Sequence, residues 1–214
     1  KYSVTITDGD GDSLTKSATV DLISDEQSVV SFEDDGPAVT SFSVKQGAKL
    51  YVDESLGTTG STQNEPGQAS NNDETGQSAG VLGYSTITGA NLFSLSVDAG
   101  SDGLDSSRTQ YQLTLTGTEP VDSGLDATAG GNIVLTREAG TGDIVGTANG
   151  VLVFRVHMDG ANGDLTLTQY KAIEHADDNN HDLLTVLGAN LVGAKVTVYD
   201  LDGDTASSST VDLG

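Results

Sequence analysis

A long internal repeat restricts this chain more than any other feature. Residues 4–22 read VTITDGDGDSLTKSATVDL and residues 196–213 read VTVYDLDGDTASSSTVDL. The two align through Asp8 with Asp200, Asp10 with Asp202, Gly11 with Gly203 and Asp12 with Asp204, at an offset of 192 residues and with one gap afterwards. Each segment alternates apolar and hydroxyl residues, breaks at Asp and Gly, and alternates again, which is the pattern of a strand, a tight turn and a strand. A period this long exceeds solenoid and propeller units and indicates tandem domains that close with the same hairpin. The expected organisation is a full repeat over residues 38–214, preceded by closing strands of a preceding or split repeat over residues 1–22. Between them, residues 23–37 form an acidic linker that ends Glu33-Asp34-Asp35-Gly36-Pro37: consecutive acids, a turn former, then a residue with locked φ.

Within the repeat, short alternating runs stand at Phe42–Val44, Leu50–Val52, Leu92–Val97, Tyr111–Leu115, Ile133–Thr136, Val151–Val156, Leu165–Tyr170 and Val196–Tyr199. Spaced strands, Gly-rich turns and no helix-length period predict an all-β fold, an antiparallel β-sandwich of immunoglobulin-like type with a short tail hairpin from the preceding or split repeat. Only Asp182–Leu187 reads as a short helical turn. The segment Gly57–Gly80 has no aromatic residue and almost nothing apolar, and reads as a long loop, either disordered, a tolerated insertion or a binding loop.

Charge narrows the function. The chain carries 32 acidic residues against 9 Lys and Arg, a formal net charge of -23, with no Cys. Nucleic acid is excluded as a partner because the basic residues are scattered, and anionic membranes are disfavoured for the same reason. No apolar run reaches membrane-spanning length and no charged-then-apolar leader opens the sequence, so membrane insertion and an attached signal peptide are not expected. Of the acids, 24 are Asp and 8 are Glu. Asp is the better turn residue and the more compact oxygen ligand, so the bias points to divalent cations that offset the mutual repulsion.

The chemistry concentrates at the Asp-x-Asp-Gly-Asp turns, Asp8, Asp10, Asp12 and Asp200, Asp202, Asp204. Alternate carboxylates in one turn can converge on a cation, and oxygen ligands without Cys or His select Ca²⁺. Neither turn is an EF-hand, since the position that needs an acid is Thr19 in one and Val211 in the other. The competing reading is a hairpin turn in which Asp and Gly supply geometry alone. A second group, Glu33, Asp34, Asp35 and Asp53 with Glu54, could share calcium with the neighbouring turn and stiffen the junction, or be a solvated charge run. Asp98, Asp102 and Asp105 read as turn residues. His175 and His181 bracket Asp177, Asp178 and Asp182, but their spacing is no established ligand pattern and a polar loop is the better reading. Gly76-Gln-Ser-Ala-Gly80 matches a nucleophile elbow as a string, yet lacks the apolar strand that should precede it. No enzyme is expected.

Several segments together resemble a known family. Tyr51-Val-Asp-Glu-Ser55, Ser123-Gly-Leu125, Ile133-Val-Leu135, the Ile144-Val-Gly146 turn, Val153-Phe154, Gly163-Asp-Leu-Thr-Leu-Thr-Gln-Tyr170 with Ile173-Glu-His175, and the closing Asp200–Asp204 turn look like the type I secretion repeat domain of giant bacterial RTX adhesins. The resemblance covers about residues 38–213 and departs at the Gly57–Gly80 loop. It implies an extracellular, calcium-loaded module on the bacterial cell surface that supports cell adhesion and biofilm formation. Such a module extends the adhesin and rigidly presents neighbouring ligand-binding domains. Its partners are then the adjacent domains of the same adhesin. The alternative is a calcium-dependent module that itself binds a peptide or glycan of a host or neighbouring cell.

Overall fold

The computed structural model describes residues 2–19, 32–52, 80–175 and 185–214. Asp53, Glu54, most of the Gly57–Gly80 loop, Asp177, Asp178, His181 and Asp182 lie outside them, as do most of the predicted linker and much of the predicted helical turn. The chain divides into two compact units, Lys1–Asp35 and Gly36–Gly214.

The first unit is a two-stranded antiparallel hairpin, β1 (Tyr2–Thr7) and β2 (Ser13–Ala18). Its register puts Ile6 opposite Leu14 and Val4 opposite Lys16 on one face, and Thr7 opposite Ser13 and Thr5 opposite Thr15 on the other. The second face is a hydroxyl ladder in which Thr5 Oγ1 and Thr15 Oγ1 are 2.7 Å apart.

The second unit holds strands β3 (Ala38–Val44), β4 (Gly83–Ile87), β5 (Phe93–Asp98), β6 (Gln110–Leu115), β7 (Val121–Asp126), β8 (Asn132–Arg137), β9 (Ile144–Ala148), β10 (Val151–Met158), β11 (Leu165–Gln169), β12 (Val192–Tyr199), β13 (Thr205–Ser207) and β14 (Val211–Asp212). A single helical turn, α1 (Gly89–Leu92), leads into β5. Every strand pairing is antiparallel. A six-stranded sheet runs β4-β11-β10-β9-β8-β7, a four-stranded sheet is centred on β12 with β6 on one edge and β13 and β14 on the other, and β3 pairs with β5. The architecture is an all-β antiparallel sandwich.

Alternation explains the packing. Ile133 and Leu135 of β8, Ile144 of β9, Val153 of β10, and Ala194, Val196 and Val198 of β12 are all buried to 1% exposure or less. Residues two apart on a strand share a face, so each strand buries one face and leaves the other to intermediate positions. Phe154 departs from that alternation because the β9–β10 register shifts between Leu152 and Phe154. The bulge turns the ring over Gly146, where any Cβ would collide with it. Phe42, Phe93 and Tyr111 stack into an aromatic cluster with centroids 4.8–6.2 Å apart, and Gly163, at φ +77°, lets its turn lie against the Tyr111 ring.

Two local readings are corrected. Leu50–Val52 joins no ladder; Leu50 packs against the core without a strand beside it to pair. Ile144-Val-Gly146 is not a turn but the start of β9, paired with β8 and β10.

Candidate metal centre

The two acidic turns have the same backbone design. In the first, the Asp8 N–H donates to the Asp12 carbonyl at 2.9 Å, and Asp8 Oδ1 accepts from the N–H groups of Asp10 at 3.3 Å and Asp12 at 3.0 Å. In the second, the Asp200 N–H donates to the Asp204 carbonyl at 3.1 Å, and Asp200 Oδ1 accepts from Gly203 at 2.9 Å and Asp204 at 2.7 Å. The glycine between the last two acids has positive φ in both, +98° at Gly11 and +112° at Gly203, where a side chain would be strained. The flanking ladders also coincide: Tyr199 faces Thr205, Val198 faces Ala206, and Thr197 faces Ser207 with their hydroxyls 2.8 Å apart. The sequence repeat is therefore a repeat of geometry.

The first carboxylate of each turn folds the loop and leaves the others to face outward. Asp8, Asp10 and Asp12 each offer a carboxylate oxygen within 4.8 Å of the others, and all three are exposed. Asp202 and Asp204 likewise offer oxygens within 4.8 Å of one another. The hydrogen bond shared with the Asp10 carboxyl, aided by the N–H groups of Asp12, Asp10 and Gly11, holds Asp8 below the usual carboxylate range against desolvation. For Asp200, burial pushes the carboxyl up, but the Asp202 carboxyl and the Gly203 and Asp204 N–H groups outweigh it and the net shift is downward. Both leading acids are thus ionised at neutral pH.

The turns differ in burial. Asp200 is 1% exposed, and its Oδ2 is a buried oxygen with no hydrogen-bond partner. The segment beside it closes the site: Leu104 bridges to Asp200, the Leu201 N–H donates to the Gly103 carbonyl, and the Asp105 N–H donates to the Tyr199 carbonyl. Arg108 stacks over the Tyr199 ring at 4.2 Å and borders Gly203. Gly36 lies against the Asp204 carboxylate, where a Cβ would come within 3.4 Å of Oδ2. Because an unpaired buried carboxylate oxygen is costly, the site fits a cation, which satisfies such an oxygen without needing a donor proton.

The other predicted acids fare differently. Glu33, Asp34 and Asp35 lie in an exposed stretch without regular secondary structure, with the Asp35 N–H donating to Asp34 Oδ1 at 3.1 Å. Asp98 and Asp105 accept from the N–H groups two residues ahead, the turn role expected of them. His175 Nδ1 is 3.0 Å from Thr185 Oγ1.

Sequence reasoning missed one constellation. Arg155 Nη1 reaches Glu138 Oε2 and Asp143 Oδ2, each at 2.5 Å, and His157 Nδ1 lies 2.7 Å from Asp143 Oδ1. Arg155 and His157 are two residues apart on β10, on the same face, and their acids stand in the β8–β9 turn. The available signal was a charged pair at i and i+2 inside an otherwise apolar strand. Arg155 and then Thr141 hold the Glu138 carboxyl down at about 2. The network clamps the turn to β10.

An antiparallel sandwich closed by an acidic hairpin is the class of domain these features define. The family described as a domain of unknown function (DUF5801) matches residues 49–214, and the chain belongs to it. No curated protein and no solved structure matches the chain.

Proposed function

We propose that this protein is a calcium-stabilised structural module of a secreted bacterial surface adhesin, serving as an extender or scaffold between neighbouring domains. The observation that carries the reading is Asp200 Oδ2, a buried, unpartnered carboxylate oxygen in a turn whose two other acids converge. Calcium takes six to eight oxygen ligands at 2.3–2.6 Å and accepts irregular geometry, which suits carboxylates and carbonyls of a tight turn. Asp200, Asp202 and Asp204 would hold one ion, and Asp8, Asp10 and Asp12 another. Bound calcium supplies positive charge; the chain's own residues do the rest, the Asp–Gly turn presetting the carboxylates and the ladder fixing the turn. The repeat with its 192-residue offset and the resemblance to type I secreted adhesins support the tandem, extracellular setting.

Calorimetry of the full chain in about 1 mM calcium against EDTA tests this. For a site of affinity about 10⁻⁴ M the ion adds about 1.4 kcal/mol, a Tm rise of about 3–6 °C. Asp200→Asn should abolish that gain and also melt below the parent in EDTA, because the Gly203 and Asp204 N–H groups that hold the carboxyl ionised then face a weaker, neutral acceptor. A Tm indifferent to both calcium and EDTA would sink the reading.

A further inference from the structure

The hairpin of the first unit has the face of a core strand but no core. Val4, Ile6 and Leu14 share one face and are 63%, 67% and 60% exposed. Their counterparts at the repeat offset are Val196 and Val198, each 0% exposed, and Ala206. The turn geometry, the ladder register and the cross-strand hydroxyl pair are common to the two hairpins, so only the covering differs. In the second unit the covering is explicit. β12 gives its far edge to β6, with Val196 opposite Tyr111 and Thr197 opposite Gln110, and β3 packs on β12, β13 and β14. β1 pairs with β2 and with no other strand among the described residues. A lone two-stranded hairpin is at best marginally stable in water, and three clustered exposed aliphatic residues on it are a surface made to be covered.

We infer that residues 2–18 are the closing hairpin of a second sandwich of this same fold, docking with β1 against that copy's β6-equivalent strand and with Val4, Ile6 and Leu14 in its core. The place is not open in the second unit, whose own β12–β13 hairpin fills it; the occupant is a copy without a closing hairpin of its own. The docking surface continues an interface already formed within this chain, that of β12 with β6 and β3.

The test is a full-length chain in which residues 196–213 are replaced by the sequence of residues 4–22, melted with and without calcium and followed by amide exchange. The expected result is one cooperative transition for the sandwich, lowered by no more than about 10 °C for the larger Ile and Leu side chains, with the Gln110–Leu115 amides protected as in the parent. Aspartate at the grafted Ile6 position should abolish that transition, whereas Ile6→Asp at its native position should leave it unchanged. A graft that folds but is indifferent to its aspartate, or leaves Gln110–Leu115 unprotected, overturns the inference. If the graft does not fold, the double variant V198I/A206L decides, since it brings only the N-terminal hairpin's facing residues into the core. Parent-like melting then upholds the fit and loss of the transition overturns it.

Discussion

At the scale of single residues, the least expected feature is the charge buried beside β10. Asp143 is 4% exposed and is held by Arg155 and His157 together. Removing one partner of such a group leaves charge without compensation, which costs far more than the pair contributes over an apolar equivalent. Arg155→Ala should therefore lower stability by about 3 kcal/mol in urea unfolding, and Arg155→Ala with Asp143→Ala together should cost less than the sum. Glu138 adds a pH signature. Its folded pKa of about 2 lies below the ordinary 4.5, so its contribution is present above the ordinary value and is lost as pH falls from about 4.5 toward about 2. Glu138→Gln should flatten the stability profile in that window alone. Only the polar pair inside an apolar strand was legible beforehand, because Arg155 and His157 meet their acids only once the β8–β9 turn folds over β10. Asp200 is the opposite case: its sequence position named it as a ligand, but that one of its oxygens is buried without a partner emerged only from the packing of residues 103–105 around it.

At the scale of elements, the same hairpin occurs once covered and once uncovered, so equivalent substitutions have unequal costs. Val196→Ala or Val198→Ala should cost about 2 kcal/mol through lost burial and the cavity left behind. Val4→Ala or Ile6→Ala should stay within about 0.5 kcal/mol, as exposed positions do. Chemical denaturation of the four variants, read on the sandwich transition, compares them directly. The contrast also shows how much pattern alone can say. Alternation marked β6, β8, β10, β11 and β12 because each has one buried face. It missed β9, whose Ile-Val-Gly-Thr-Ala reads as a turn until Phe154 is seen to need a glycine beneath it. It missed β7 because the register shifts between Asp122 and Leu125, with Gly124 at φ +73°, and the two-residue rhythm is lost there. It missed β4 because an edge strand, paired only with β11, can remain polar. Leu50–Val52 erred the other way, alternating like a strand while packing Leu50 against the core.

At the scale of the molecule, a net charge of -23 works against compactness at every pH where carboxylates are ionised. Two effects that reduce it are separable. Sodium chloride screens exposed charges generally, whereas calcium engages carboxylates already gathered in a turn. At matched ionic strength, calcium should raise the Tm by several degrees, and magnesium, which holds its waters and demands octahedral geometry, by a small fraction of that. Equal gains from the two ions would reduce the acidic turns to ordinary surface charge.

The path of the chain through the second unit carries a mechanical consequence. Gly36 enters beside Asp204, at the end of β12 that leads into the acidic turn, and Gly214 leaves beside Gly188, near the opposite end of the same strand. Tension applied between those two points runs along β12. The ladder hydrogen bonds lie across that direction, so they would be loaded together in shear rather than unzipped one at a time. β3, which follows Gly36, would meet that load first through its ladder with β5.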